Sequence, residues 1–418
     1  MNSMRLGFYL GFVWCALAQS ALSGDVVSNA MTGAKYSNLA SAVAAAANGQ
    51  QLVMIGDETL SATLVISNLT LSLVSDGSVR TVRGSASCTY DMVHVAGTNA
   101  VLKLGQTNGN DATPTLIFDG GKTVGVSNLY DMFFVSGGTL ALNSGVLLRN
   151  LASVDVGAIN NSGGVFAMFG GRIENNSAPY GGGIYNNMGE VWIGGGSITG
   201  NLANIGGGIC NQAVELYQGY IVAYVGKLEM GGVAVADNVA YQAGGGIYDL
   251  GSLELSGGQA VRNAAPAGGG VRHENGAVYG MVLRGSAVVA SNAAAMGSGI
   301  YYNNNANTWL SIVEGGRVSP TNDVFMAANN NPIVLSGPLS GRGLVAQITP
   351  PTYSTNQYVL GTVGGSNQWV VSNYYGKFSV TPESGGESAW YVGADGRLTH
   401  VNPTGLPAAI STLDLGNA

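Results

Sequence analysis

Charge is scarce in this chain of 418 residues. Charged side chains make up 9% of it, with 16 Lys and Arg against 23 Asp and Glu, so the formal net charge is −7. No basic run occurs, which disfavours nucleic-acid binding because such surfaces neutralise phosphates with clustered Lys and Arg. The three His are scattered, and no Cys/His group has the spacing of a metal site, so we expect neither metal nor cofactor.

Cysteine is nearly absent as well, with three in the whole chain. One lies in the apolar N-terminal run, and the other two are Cys88 and Cys210. Their separation spans about five periods of the repeat described below, or roughly 24 Å along a stack of strands, which is beyond the reach of a disulfide. We therefore expect both thiols to be unpaired.

Helix-forming segments are also few, because glycine interrupts most of the chain. The one convincing helical segment is SNLASAVAAAANG at residues 37–49. Its apolar side chains fall on one face, and Ser37 or Asn38 can cap its start. We predict that this helix covers the N-terminal end of the core as a cap, since a stacked repeat exposes its core at each end.

Glycine itself is abundant, with 66 residues, and much of it belongs to a repeat between residues 173 and 322. Each copy has an apolar residue, two variable positions, Asn, and then Gly-Gly-Gly or Gly-Ser-Gly before a branched apolar residue. The repeated asparagines are Asn176, Asn201, Asn238, Asn263, Asn292 and Asn322. Self-similarity at a period near 25 residues indicates a repeat architecture, and paired glycine corners with apolar alternation between them predict short strands.

A period of this length accommodates three short strands and their corners in each turn. Equivalent residues of successive turns then lie above one another at about 4.8 Å, the spacing of paired strands. Stacked Asn side chains can pass amide hydrogen bonds along the column, whereas stacked like charges would repel each other. We predict an all-β parallel solenoid with a structural ladder at Asn176, Asn201, Asn238, Asn263 and Asn292.

The repeat, [Ile/Val]-x-x-Asn-x-Ala followed by Gly-Gly-Gly-Ile, also carries a resemblance. It resembles the repeat of chlamydial polymorphic outer membrane proteins and of secreted right-handed parallel β-helix proteins in the pectin lyase-like superfamily, over residues 160–325. The resemblance implies a right-handed coil. It does not fix a function, because that superfamily includes lyases, hydrolases and adhesins. Two departures are that Ile, Val or Ala stands where the family has an aromatic, and that no membrane barrel follows.

Four regions are predicted along the chain. Residues 1–20 have the basic start and apolar run of a signal peptide, 21–50 form the N-terminal helical cap, 51–335 form the right-handed parallel β-helix, and 336–418 form terminal coils, a C-terminal β cap and a tail. An insertion before Gly226 carries Tyr217, Tyr220 and Tyr224 and is expected to leave the rod. We expect no transmembrane segment in the mature chain, which would be a monomer secreted by a bacterium or held on its outer surface.

Two groups of charged residues are candidates for catalysis. Glu229 and Glu254 occupy the parallel phrases LEMGG and LELSGG and should project outward one turn apart, with Trp192 and Val282 in the same column. Because that column has no third acid, we interpret it as a solvated outer face. The Arg272-His273-Glu274 segment could supply a base with a charged neighbour, but no nucleophile stands beside it, so we interpret it as an exposed polar coil.

A third feature is the residue that follows the apolar position after each glycine triplet. These residues are Tyr185, Cys210, Tyr248, Arg272 and Tyr301. If the apolar residues point inward, their successors point outward and form a broken aromatic stripe that can stack on sugar rings or on a partner protein. The candidate ligand-binding residues are therefore Tyr185, Tyr248, Arg272 and Tyr301. The alternative is that the tyrosines only stabilise one another.

These observations favour a secreted, surface-associated structural or adhesin-like binding protein without catalytic activity. Its partner would be a host or environmental surface protein or a glycan. A polysaccharide lyase or glycoside hydrolase is the first alternative, and it requires acids that meet only in three dimensions. A non-catalytic glycan-binding protein that uses the tyrosine stripe is the second.

Overall fold

The computed structural model describes residues 24–85, 90–122, 130–214, 224–274, 280–303, 308–329, 331–362, 368–386 and 388–402. Several sequence predictions fall elsewhere. The predicted signal peptide, Cys88, Tyr217 and Tyr220 of the insertion, and the tail beyond residue 402 lie outside the described residues, as does the side chain of Tyr224.

Three long sheets form the walls of a parallel β-solenoid. Within the described residues sheet A has 14 strands, sheet B has ten and sheet C has 13. Neighbouring strands of a sheet are one turn apart in sequence and pair in parallel along the body of the molecule. Among the described strands of these three sheets, Val27–Asn29 at one end of sheet A and Tyr224–Val225 beside sheet C pair antiparallel. About ten turns thus have all three sides, and the predicted all-β solenoid is confirmed.

The strands have these bounds. In sheet A they are Val27–Asn29, Lys35–Tyr36, Gln50–Met54, Thr70–Ser75, Val101–Leu104, Thr139–Leu142, Val165–Met168, Glu190–Ile193, Lys227–Met230, Ser252–Leu255, Met281–Leu283, Leu310–Ile312, Ile333–Val334 and Leu360–Gly361. In sheet B they are Glu58–Leu60, Arg80–Gly84, Leu116–Asp119, Val146–Arg149, Arg172–Glu174, Ser197–Thr199, Ala234–Ala236, Gln259–Val261, Val288–Ala290 and Arg317–Val318. In sheet C they are Leu64–Ser67, Val93–Ala96, Phe133–Ser136, Ile159–Ser162, Ile184–Asn187, Ile209–Val214, Tyr224–Val225, Ile247–Asp249, Val271–His273, Ile300–Tyr302, Asp323–Met326, Ala346–Thr349 and Phe378–Val380.

The described residues also form two smaller sheets. Sheet D lies between the B and C strands of its turns and has the parallel strands Ser177–Tyr180, Leu202–Ile205 and Val239–Ala243. Near the C-terminus, Tyr391–Val392 and Leu398–Thr399 pair antiparallel.

Alternation along each strand explains why the interior is one aliphatic column. In Lys227–Met230, Leu228 and Met230 are buried while the two charged residues are partly exposed. The pairing register stacks Leu228 on Val191 and Leu253, all with 0% exposure, and the same stacking continues over the neighbouring turns. Each such side chain contributes roughly 1.5–3 kcal/mol of transfer free energy on burial, so short strands are stabilised jointly by one continuous core.

Glycine triplets mark places where the backbones of adjacent turns touch. A Cβ atom built on Gly207 would lie 2.4 Å from the carbonyl oxygen of Gly245 and 2.5 Å from that of Val239. These are backbone atoms that cannot rotate away. The repeated Gly-Gly-Gly is therefore required by the close approach of the turns rather than by strand formation.

The part of the chain that the structure describes contains two short α-helices. Helix α1 is Leu39–Ala45, and Asn38 caps it because its Oδ1 accepts a hydrogen bond of 2.8 Å from the Ser41 N–H. It is shorter than the predicted 37–49, since the backbone is already extended at Ala46. Helix α2, Gln368–Tyr374, leads into a 3₁₀ turn and falls in a region where only strands were predicted. Among the described residues, neither helix has the length or apolarity to cross a membrane.

Candidate functional site

The repeated asparagines occupy one buried column. Asn176, Asn201, Asn238 and Asn263 are at most 1% exposed. At each step the Oδ1 of one turn accepts hydrogen bonds from the backbone N–H and the Nδ2 of the preceding turn, as Asn263 does from Asn238 at 3.0 Å for both. The Nδ2 also donates to a main-chain carbonyl, which for Asn238 is that of Ile198 at 2.9 Å. Steps of this kind run from Asn176 through Asn292 to Asn322, so these amides hold turns together and have little capacity left for a ligand.

A second buried ladder lies at the inner side of sheet C, and sequence reasoning missed it. Asn161, Asn186 and Asn211 pass hydrogen bonds of 2.9 and 2.8 Å from turn to turn, and Asn211 donates to Asp249 at 2.7 Å. Asp249 in turn contacts the Nδ1 of His273 at 2.7 Å. The signal in the sequence was the polar residue two places after each inward-facing Ile or Val.

The interpretation of Arg272-His273-Glu274 as an exposed polar coil is wrong. His273 is 0% exposed and Glu274 is 9% exposed. Side chains alternate between the two faces of strand Val271–His273, so His273 points into the core beside Asp249. Arg272 points outward and forms an ion pair with Glu274. Because the imidazole is enclosed within the solenoid, it is unavailable to a substrate.

The two glutamates of sheet A do stand side by side. The pairing register aligns Trp192, Glu229, Glu254 and Val282 in one column, as predicted. Each acid has its own cation: Lys227 lies 2.6 Å from Glu229, and Arg284 lies 2.5 Å from Glu254. These exposed ion pairs neutralise the charges of both glutamates. The column therefore still fits the interpretation as a solvated outer face.

The predicted stripe residues share one column on the outward side of sheet C. Tyr185, Tyr248, Arg272 and Tyr301 follow one another in register and are half-buried. The residue before each member of the column is buried, with 0% exposure at Ile184, Ile209, Ile247, Val271 and Ile300. The apolar residues therefore point inward and the column points outward, as predicted.

The column extends further than the predicted residues. It continues through Asn160, Phe134 and His94 on one side and through Phe325 on the other. Rings pack against one another along it, with centroid distances of 4.7 Å between His94 and Phe134 and 5.4 Å between Tyr301 and Phe325. The guanidinium of Arg272 lies 4.5 Å from the centre of the Tyr301 ring. We call this column, from His94 to Phe325, the stripe.

One member of the stripe does not face solvent. Cys210 is 0% exposed and accepts a contact from the Gln212 amide at 3.2 Å. Burial raises the pKa of its thiol to about 12, and burial likewise raises the pKa of Tyr185 and of Tyr248 to about 12. The phenols are therefore neutral hydrogen-bond donors at physiological pH, on either side of a small buried thiol. Among the described residues, Cys210 is a free cysteine.

A group that the sequence analysis missed lies beside the stripe. Asp91 and Asp131 come just before neighbouring strands of sheet C, and the N–H of Met92 donates to the carbonyl of Asp131 at 3.1 Å. Their carboxyl groups lie within hydrogen-bonding reach of each other. Asp131 is 2% exposed, and its Oδ2 accepts a hydrogen bond of 2.8 Å from the Asn160 amide of the stripe. Its Oδ1 has no donor among the described residues.

The environment of this pair favours protonation. Burial raises the pKa of Asp91 to about 6. Burial also raises the pKa of Asp131 well above its ordinary value, and the charges of Asp91 and Asp155 add to that effect while the Asn160 hydrogen bond opposes it. Two adjacent carboxyls cannot both ionise without repulsion, so one proton is retained between them.

Tyrosines accompany each acid. Tyr90 and Tyr130 stack with centroids 5.9 Å apart and planes 13° apart, and they are 67% and 40% exposed. We call Tyr90, Asp91, Tyr130, Asp131 and the exposed Asp155 the acid–tyrosine cluster. Its sequence signal was the repeated Tyr-Asp-Met, which occurs at residues 90–92 and 130–132.

Comparison with family models, with curated proteins and with solved structures found no match for this chain.

Proposed function

We propose that the chain is a secreted, surface-associated binding protein that holds a glycan along the stripe. The observation that carries the proposal is the register of Tyr185, Tyr248, Arg272 and Tyr301, which presents half-exposed rings and a guanidinium in one outward column. The outward edges of these rings give a sugar apolar contacts, while Tyr hydroxyls and Arg supply directed hydrogen bonds. A flat protein partner could use the same groups, but their narrow linear arrangement favours a polymer.

The spacing of the column supports a linear ligand. Turns succeed one another at about 4.8 Å, so equivalent side chains repeat along the axis at that interval. An extended polysaccharide that runs parallel to the axis would meet similar groups at each turn. Several weak contacts would then add up along one chain, as they do in multivalent binding.

The handedness, the ends and the location of the solenoid belong to the same proposal. We infer a right-handed coil, because parallel crossovers are right-handed in nearly all cases and because the repeat resembles that of right-handed β-helix proteins. Helix α1 would act as the N-terminal cap and the antiparallel pair Tyr391–Val392 and Leu398–Thr399 as part of a C-terminal β cap. Export to the bacterial surface rests on the predicted signal peptide at residues 1–20.

The test is binding of the purified protein from Gly24 onward to an array of polysaccharides, both neutral and charged. We expect retention of at least one glycan, and loss of that retention in Tyr248→Ala and Tyr301→Ala. The matched control is Phe169→Ala, which removes an aromatic ring that is 64% exposed and lies outside the stripe. Retention that survives both stripe substitutions, or that falls equally in the control, would contradict the proposal.

A further inference from the structure

The corner between sheet C and sheet A is larger near the C-terminal end of the solenoid than in its middle. Ten residues, at positions 350–359, join strand Ala346–Thr349 of sheet C to strand Leu360–Gly361 of sheet A. At an earlier turn the same corner takes only the two residues 188 and 189. Longer loops on a regular scaffold are frequent carriers of binding sites, which makes this corner a place to look for one.

The longer connection forms one wall of a groove with a volume of about 480 Å³. The other wall belongs to the preceding turn, where the passage from sheet C to sheet A supplies Asn329 and Pro332. This volume lies within the roughly 300–1,000 Å³ that is typical of small-molecule sites. We call this cavity the corner groove.

The described residues that line the corner groove are uncharged. Hydroxyl and amide side chains predominate among them and include Asn329, Thr352, Ser354, Asn356 and Gln357. Tyr358 and Pro332 add apolar surface. A charged ligand would lose its hydration here without gaining an opposite charge, whereas a ligand with several hydroxyl groups and an apolar face finds partners for both.

Hydrogen bonds within the longer connection fix the shape of its wall. Gln357 is 6% exposed, its Oε1 accepts a hydrogen bond of 3.0 Å from the Thr352 hydroxyl, and its Nε2 donates to the Tyr358 carbonyl at 2.7 Å. The backbone N–H of Gln357 donates to the Ser354 carbonyl at 2.9 Å, and that of Asn356 donates to the Ser354 Oγ at 3.2 Å. Because the wall is formed without a ligand, binding does not have to order it.

Two amides of the corner groove keep hydrogen-bonding capacity for a ligand. The Asn356 side chain is exposed and makes no hydrogen bond among the described residues. The Oδ1 of Asn329 accepts only a long hydrogen bond, 3.4 Å from the Thr352 hydroxyl, and its Nδ2 has no acceptor in the described part of the chain. These amides stand on opposite walls, so a ligand between them can bond to both.

The ring of Tyr358 stands between the corner groove and a cation. It is 42% exposed, and the guanidinium of Arg397 lies 4.4 Å from its centre. Arg397 lines a neighbouring cavity and not the corner groove, so the two lie on different sides of the ring. Attraction to the cation holds the ring in place, and its other side is left to contact C–H groups of a ligand.

We propose that the corner groove binds a single neutral sugar residue. The Tyr358 ring packs against the apolar face of the sugar, while the amides of Asn329 and Asn356 hydrogen-bond to its hydroxyl groups. This site goes beyond the proposed function, because it lies at the corner between two sheets rather than on the stripe and its ligand does not have to be a polymer. An acidic sugar is disfavoured, since the described lining offers it no cation.

The test is ligand-observed NMR titration of the purified protein with glucose, galactose, mannose and N-acetylglucosamine, and with glucuronic acid as the charged comparison. We expect at least one neutral sugar to bind with a dissociation constant in the millimolar range, roughly ten-fold more tightly than glucuronic acid. Its affinity should fall roughly five-fold or more in Tyr358→Ala and in Asn356→Ala. Asn356 is exposed, so its substitution tests the site even if Tyr358→Ala fails to fold.

Matched controls separate the corner groove from general effects and from the stripe. Tyr241→Ala and Asn204→Ala remove an exposed ring and an exposed amide from sheet D and should leave the affinity unchanged. The double variant Tyr248→Ala/Tyr301→Ala should also keep it, because the stripe is not part of this site.

Several results would overturn the inference. These are no binding of any of the four neutral sugars, tighter binding of glucuronic acid, and an affinity that survives both groove substitutions or falls equally in the sheet D controls. Sugar binding that is lost in the stripe variant but kept in the groove variants would place the ligand on the stripe, against the corner groove and in favour of the proposed function. Failure of every polysaccharide on the array, with sugar binding in the corner groove intact, would refute only the proposed function.

Discussion

Individual asparagines of the ladder contribute to stability because each one satisfies backbone groups of two turns. Replacing Asn238 with Ala would leave the Asn201 N–H and the Ile198 carbonyl buried without their side-chain partner. We expect Asn238→Ala to lower the free energy of unfolding by about 2–4 kcal/mol, since each unsatisfied buried group costs about 1–3 kcal/mol.

Urea unfolding followed by circular dichroism measures this effect. Asn204→Ala is the control, because Asn204 is exposed on sheet D and should change stability by less than about 0.5 kcal/mol. If the two substitutions had similar small effects, the ladder would have no special structural role.

The Asp91–Asp131 pair predicts a pH dependence of stability. In the folded chain Asp91 keeps its proton up to about pH 6, whereas in the unfolded chain it releases it near a pKa of about 3.9. Between these values the folded state binds more protons, so the free energy of unfolding decreases as the pH rises through the window and is fully restored below it. After solvent screening, Asp91 accounts for roughly 1–2 kcal/mol of this decrease, and Asp131 adds to it in the same direction.

The measurement is urea unfolding of wild type, Asp91→Asn and Glu190→Gln at several pH values between about 4 and 7. We expect Asp91→Asn to lose much of the decrease and Glu190→Gln to retain it. A wild-type stability that increases over this range would show that the pair is not held protonated by the fold.

Some of these residues could be predicted from the sequence and others could not. The ladder asparagines could be predicted because each stands at a fixed place in a regular repeat. Asp91 and Asp131 could not, because their Tyr-Asp-Met copies lie before that repeat and are adjacent only in the folded register. His273 was misplaced because its charged neighbours concealed the alternation that turns it toward Asp249.

Among the structural elements, glycine triplets such as the one that contains Gly207 are the least tolerant of a larger side chain. A methyl group on Gly207 would collide with carbonyl oxygens of the next turn at 2.4 and 2.5 Å, which forces backbone atoms apart. We expect Gly207→Ala to destabilise the chain by about 3 kcal/mol or more, as overpacking against backbone does. Gly194→Ala is the control, because the nearest atom to its added Cβ would be 3.9 Å away. Thermal melting compares the two, and equal melting temperatures would contradict the close packing of turns.

Of the two helices, one was predicted from the sequence and the other was not. Helix α1 was predicted from its alanine-rich pattern and its cap, and only its end was misjudged. Helix α2 contains Trp369, Val370 and Val371, which favour strands by propensity, yet both valines are buried against the core. Tertiary packing therefore decides its conformation, and a single sequence read by local propensity does not reveal this.

At the scale of the whole molecule, the solenoid behaves as a stack of interchangeable turns. Residues 176–200 contain one strand each of sheets A, B, C and D. Their deletion would join Asn175 to Asn201 and pair each remaining strand with the equivalent strand of the next turn. We expect this variant to fold, with strand content reduced in proportion, because repeat stability is approximately a sum over neighbouring turns.

Circular dichroism and a cooperative melt would test the deletion. Removing only residues 176–187 is the control, since it takes strands from sheets C and D but leaves those of A and B and so breaks the register. If both deletions folded equally well, or neither did, the stacking of equivalent turns would not be what holds the molecule together.

The central claim is that the stripe on sheet C binds a glycan, and its most direct test is a dissociation constant. Isothermal titration with the best glycan from the array would compare wild type, the double variant Tyr248→Ala/Tyr301→Ala, and the control Phe169→Ala/Trp192→Ala, which removes two exposed rings outside the stripe. We predict affinity weakened by roughly ten-fold or more in the stripe variant, given about 1 kcal/mol or more per ring, and unchanged in the control. Unchanged affinity in the stripe variant would contradict the claim.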